Sequence, residues 1–121
     1  MSVTFYSYPK CGTCQKAKKW LDANDVAHEM VHIVENPPSK EELRSIYENS
    51  ELPLKKFFNT SGIRYRELGL KDKLKDASEE EMLDMLASDG MLIKRPIVTG
   101  GNDVTVGFNE EQFESVWKRY Q

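Results

Sequence analysis

At 121 residues, with 39% hydrophobic and 31% charged side chains, the chain has the length and balance of one soluble domain able to bury a core. Seventeen basic against twenty acidic residues give a net charge of −3, which excludes the basic footprint of a direct nucleic-acid binder. No apolar run approaches the ~20 residues that span a bilayer, and MSVTFYSYP lacks the charged and apolar regions of a signal peptide. The expected compartment is the cytoplasm, and the expected state is a monomer.

In chain order, residues 3–8 are short, β-branched and aromatic, and apolar on both faces, as an interior strand requires. A helix is predicted over 12–24, with Ala17, Trp20 and Leu21 on one face and Lys16, Lys18 and Lys19 crowding the rest. Residues 26–34 read as a second strand. Strand, helix and strand in so short a span imply a parallel βαβ unit. After Pro37-Pro38, Ser39 and Glu42 form a capping box, as do Ser78 and Glu81 further on. Between those helices, 54–58 and 63–74 are predicted as short helical turns broken at Gly62 and Gly69. Asp89-Gly90 ends the second capped helix. Residues 96–106 then read as a β-hairpin turning at 100–103, and Asn109 with Gln112 caps a last helix bearing Phe113, Val116, Trp117 and Tyr120. The order is α/β, thioredoxin-like: βαβ, then ββα, building a mixed four-stranded sheet. One domain over 1–121 is expected, with a helical insert at about 39–93.

The chemistry centres on PKCGTC, residues 9–14, which contain both cysteines of the chain. Cys11 falls where the first strand hands over to the first helix. A helix N-terminus carries about half a positive charge and unpaired N–H groups, and both favour a thiolate. Cys14, one turn deeper, suits a resolving thiol that attacks a mixed disulfide on Cys11. Gly12 and Thr13 are small enough to let a substrate approach the backbone, and the Thr13 hydroxyl is a donor for the sulfur or a bound oxyanion. Two buried structural cysteines are the competing account. A zinc site is the third: Cys11 and Cys14 precede His28 and His32 at nearly zinc-finger spacing. Its order is wrong, because here a helix follows the cysteines and the histidines fall in a strand. No metal is expected, and the histidines read as edge-strand residues.

KRPIV, residues 94–98, is the second element. In a thioredoxin-type fold the proline at this point, Pro96, is cis and faces the first cysteine. Arg95 would then stabilise the Cys11 thiolate and fork onto an oxyanion; alternatively it is a surface arginine preceding a strand. FFNTSG, residues 57–62, offers Asn59, Thr60 and Ser61 either as an anion site or as an ordinary capped turn.

Taken together, TFYSYPKCGTCQKAKKWL, VENPPSKEEL, YRELGL, GMLIKRPIV and VGFNEEQFE resemble the glutaredoxin-coupled arsenate reductase family, with its Spx and MgsR-like relatives. The resemblance covers nearly the whole chain. It implies a thioredoxin-like core with a helical insertion, a catalytic cysteine at Cys11 and an oxyanion-binding arginine at Arg95. It implies no bound cofactor, and an external thiol donor, thioredoxin or glutathione with glutaredoxin, as reductant and partner. Two further arginines of the arsenate reductases match Asn59 and Phe108 here, leaving Arg64 or Arg66 to stand in for them. Cys14, absent from those reductases, is the pattern of the Spx branch, whose members bind the α subunit of RNA polymerase. The function expected is thiol–disulfide oxidoreduction by a Cys-x-x-Cys pair, with arsenate or a related compound as substrate; the alternative is a redox-sensing transcriptional regulator.

Overall fold

β1 (Val3–Ser7) is buried along nearly its whole length, as a strand apolar on both faces must be. In the computed structural model, which describes residues 2–121, it lies inside a four-stranded sheet. It pairs in parallel with β2 (His28–His32), Phe5 opposite Met30, and antiparallel with β3 (Ile97–Gly100), Phe5 opposite Val98. β3 in turn pairs antiparallel with β4 (Asp103–Val106), giving the order β2-β1-β3-β4. This is the mixed sheet expected of a thioredoxin-like α/β fold.

The chain divides into two compact units, one formed by residues up to His32 with Arg95–Gln121 and the other by Ile33–Lys94. In the first, α1 (Gly12–Ala23) buries Cys14, Ala17, Trp20 and Leu21. They pack with Val3, Phe5, Val26 and Val98 from the sheet side and with Phe113, Trp117 and Tyr120 from the C-terminal segment. The hairpin turns at Gly101-Asn102, where Gly101 takes φ +56, a conformation open to glycine at little cost. Asn109 caps α6 (Glu110–Val116) by accepting the Gln112 N–H at 3.0 Å.

Two boundaries differ from expectation. β2 is five residues long rather than nine. At its start Asp25 turns back with φ 55 and the Val26 N–H bonds to Leu21, so Val26 closes α1 instead of joining the ladder. The final helix stops at Val116 and tightens into a 3₁₀ turn at Lys118–Tyr120. That turn brings the Tyr120 hydroxyl to the Gly100 carbonyl at 2.9 Å and to Asp103 at 2.8 Å.

The second unit is helical: α2 (Lys40–Ser50), a 3₁₀ turn at Leu54–Phe57, α3 (Ile63–Glu67), α4 (Leu70–Lys73), α5 (Glu79–Ser88) and a 3₁₀ turn at Gly90–Leu92. Both capping boxes form, with Ser39 accepting from Glu42 and Ser78 from Glu81, each at 3.1 Å. Gly69, at φ 64, separates α3 from α4. Lys40 and Arg44 of α2 pair with Glu80 of α5 at 2.8 and 2.6 Å. No helix among the described residues is long and apolar enough to cross a membrane.

Gly90 does more than end a helix. A Cβ at this position would lie 2.0 Å from the Ile33 carbonyl oxygen, a backbone atom unable to rotate away. Gly90→Ala is therefore expected to destabilise the fold by about 1–3 kcal/mol, as overpacking does. An unchanged midpoint in chemical denaturation would refute that account.

Candidate active site

The sequence places Cys11 where strand conformation ends and helix begins, and the backbone there decides what its sulfur meets. Cys11 is the N-cap of α1, with extended dihedrals (φ −95, ψ 116). Its Sγ accepts the Cys14 backbone N–H at 3.3 Å, as a serine or aspartate oxygen would at other helix starts. Its own N–H donates to the Tyr8 carbonyl at 3.0 Å, and the Gln15 side chain ties back to the Pro9 carbonyl at 3.2 Å. These bonds hold the loop between β1 and α1 against the helix.

Burial raises the Cys11 pKa. The hydrogen bonds from the Cys14 side chain and backbone, the positive charge of Arg95 and the Thr13 N–H act the other way, and together they bring it below its ordinary value of 9.0. Cys14 behaves oppositely: burial, the Cys11 side-chain hydrogen bond and the nearby Cys11 charge push it up to about 11. Both are free thiols. Two cysteines one helical turn apart are thus shifted in opposite directions, Cys11 toward the thiolate and Cys14 toward the thiol.

Arg95 is half-buried, its guanidinium carbon 4.8 Å from the centre of the Tyr8 ring. Its Nε and Nη1 are buried with no hydrogen-bond partner. The guanidinium is thus stacked on an aromatic face while two of its donors go unused. The Arg95–Pro96 peptide bond is cis, as expected for this strand start. Gly12 is exposed and has open space around its Cβ position, and Thr13 is exposed beside it.

Asn59 belongs to the helical unit, where its carbonyl accepts the Gly62 N–H at 3.0 Å and its N–H donates to Leu92, the pattern of a capped turn. Phe108 packs edge-on against Phe113 at 4.8 Å. Arg64 is engaged by Asp89 at 3.1 Å and Glu67 at 3.4 Å, and Arg66 reaches the Ser61 carbonyl. His28 and His32 lie in the edge strand β2, stacked edge-on against Phe5 and Tyr8 respectively. Sequence reading missed Ser7 and Tyr8. The available signal for Ser7 was its small polar side chain at the end of an otherwise apolar interior strand.

A model of the ArsC family matches residues 6–116. The chain belongs to the ArsC family. Within it, the chain is 65% identical over 117 residues to the uncharacterized protein YusI of Bacillus subtilis, covering 97% of this chain and 99% of that one. It is 29% identical over 110 residues to the global transcriptional regulator Spx of Lactiplantibacillus plantarum, 91% of this chain and 82% of Spx. A crystal structure of a Bacteroides fragilis protein, described as related to the ArsC family, superposes with a TM-score of 0.92 at 48% identity, covering 95% of this chain and 97% of that one.

The two sulfurs should separate in a pH titration of thiol alkylation. Cys11 is expected to react with a midpoint below 9.0 and Cys14 only near 11. Stability follows with opposite signs. The Cys11 contribution is present above pH 9 and is lost as pH falls through its lowered folded pKa. The Cys14 contribution is present below pH 9 and is lost as pH rises through about 11. Equal alkylation rates at pH 8 would remove the asymmetry on which the site is built.

Proposed function

We propose that the chain is a thiol–disulfide oxidoreductase in which Cys11 is the nucleophile, Cys14 the resolving thiol and Arg95 the charge that steadies the sulfur anion. The observation that carries this reading is the Cys11 Sγ at the N-cap of α1, within the field of Arg95, with a protonated thiol one turn behind it. The Cys11 thiolate attacks one sulfur of a substrate disulfide R–S–S–R′. A Cys11–S–S–R bond forms, the S–S bond of the substrate breaks, and R′S⁻ leaves and takes a proton from water. Cys14 then attacks the Cys11 sulfur and expels RS⁻, which is released as RSH. Two electrons pass from the dithiol to the substrate, and a Cys11–Cys14 disulfide remains. Gly12 and Thr13 leave the backbone open for the incoming sulfur. Pro96 shapes the start of β3 beside Arg95. No bound cofactor is required; a thioredoxin dithiol, or two glutathione molecules with a glutaredoxin, returns the electrons.

Arsenate is the less favoured substrate. Charge-assisted hydrogen bonds contribute roughly 1.5–3 kcal/mol each. Asn59 and Phe108 stand where the arsenate reductases carry arginines, and Arg64 already holds two carboxylates. The test is NADPH consumption by the reduced chain, coupled either to thioredoxin and its reductase or to glutathione, glutaredoxin and glutathione reductase, with a glutathionylated peptide or arsenate as substrate. Consumption with the peptide, lost in Cys11→Ser, is expected. Arsenate turnover at a comparable rate would overturn the substrate assignment, and no turnover with either would overturn the enzyme reading.

The likeness to Spx favours a second reading, a redox switch in which the same disulfide alters a surface bound by RNA polymerase through its α subunit. Capture of the C-terminal domain of the polymerase α chain by one redox form and not the other supports it; no capture in either form ends it.

A further inference from the structure

Among the described residues the buried polar side chains are Ser7 and Thr105. Thr105 has a structural partner, since its Oγ1 accepts the indole N–H of Trp117 at 2.9 Å. Ser7 is used differently. It is the last residue of β1, only 5% exposed, and its hydroxyl is close enough to Cys14 to favour a negative charge on that sulfur. Both residues line a mainly apolar cavity of about 190 Å³ whose walls include Tyr8, Pro9 and Met30.

Those surroundings make the second sulfur displacement the harder one. The N-terminus of α1 and Arg95 serve Cys11, whereas Cys14 must gather negative charge one turn deeper, beside a mainly apolar cavity where Lys18 is already paired with Asp22 and a charge without a partner is costly. Two groups favour that charge, the Tyr8 backbone and the Ser7 hydroxyl. We propose that Ser7 is a positioning residue of the resolving step: its hydroxyl donates a hydrogen bond to Cys14 Sγ and steadies the negative charge that builds on this sulfur as it attacks the Cys11 mixed disulfide. The inference rests on the reading of Cys14 as the resolving thiol. In the step itself the Cys11–S–S–R bond breaks, a Cys11–Cys14 bond forms, and the proton of Cys14 ends on the leaving RS⁻ through solvent. Ser7 keeps its own proton, and no electrons enter from outside.

The experiment is rapid mixing of the reduced full-length chain with 5,5′-dithiobis(2-nitrobenzoate), followed by absorbance. Attack by Cys11 releases one thionitrobenzoate, and resolution by Cys14 releases the second. In Ser7→Ala the first phase is expected to match the native chain, which also reports an intact fold, while the second slows about 10-fold or more, as loss of a hydrogen bond to a charged group predicts. Ser7→Thr restores the hydroxyl, so the second phase should recover to within about 3-fold of native. A second phase unchanged in Ser7→Ala, or one as slow in Ser7→Thr as in Ser7→Ala, overturns the role of Ser7 alone. Absence of a second phase in the native chain overturns the resolving role of Cys14, and this inference with it.

Discussion

Cys11→Ser is expected to abolish reduction of a disulfide substrate, by at least about 1000-fold, while Cys14→Ser keeps the first chemical step and stalls after it. The difference follows from what surrounds each sulfur. At Cys11 the helix N-terminus, the Cys14 N–H and Arg95 all favour an anion. A serine hydroxyl in the same cradle is too weak an acid to be ionised by them, so no nucleophile remains. In Cys14→Ser the backbone N–H that caps Cys11 is unchanged and the serine hydroxyl can donate in place of the thiol, so attack should proceed near the native rate. The product is then a Cys11–S–S–R adduct with no internal thiol to clear it. Intact mass spectrometry should show the chain heavier by one R–S group, and the adduct should persist until an external thiol is added. Native turnover in Cys14→Ser would remove Cys14 from the mechanism and leave a one-cysteine cycle cleared directly by glutathione.

Local chemistry made much of this architecture readable. The apolar run at β1, the Ser-x-x-Glu pairs at α2 and α5, the breaks at Gly62 and Gly69 and the Gly101 turn each depend on residues within a few positions of one another. The same holds for Cys11 at the start of α1, whose backbone environment was legible from strand and helix patterns. What was not legible depends on distant contact. Nothing near Gly90 in sequence announces the Ile33 carbonyl beneath it. The Arg95 stack on Tyr8 joins residues far apart in the chain, and so do the ion pair that engages Arg64 with Asp89 and the pairing of Trp117 with Thr105. β2 was drawn too long because Val26 is as apolar as a strand residue, yet its hydrogen bond returns to Leu21. Ser7 shows the limit most clearly: one small polar residue in an apolar strand has no meaning until its neighbour across the turn is known to be Cys14.

Trp117→Ala should cost the sheet unit about 3–5 kcal/mol. The indole is fully buried, packs against Tyr120 at 5.2 Å and belongs to the same core as Phe5, Phe113 and Cys14. Its removal leaves a cavity and also strands the buried Thr105 hydroxyl, which now accepts the indole N–H. Set against a typical total of about 5–15 kcal/mol, the loss brings the unit close to unfolding. Trp117→Phe, which keeps most of the volume but loses the N–H, should cost less, about 1–2 kcal/mol. The cysteines supply the readout. In the folded unit Cys14 is shielded and holds its proton to about pH 11, whereas in an unfolded chain both thiols return to their ordinary value of 9.0. Alkylation at pH 8 should therefore label Cys11 alone in the native chain and in Trp117→Phe. In Trp117→Ala at low denaturant the two cysteines should be labelled at rates that converge. Convergence would mean that the difference between the two sulfurs is maintained by a core whose largest buried member touches neither in sequence. If Cys14 stays protected while the measured stability falls by the full amount, the asymmetry is local to the β1–α1 turn, and the hydrogen bonds around Cys11 suffice to maintain it.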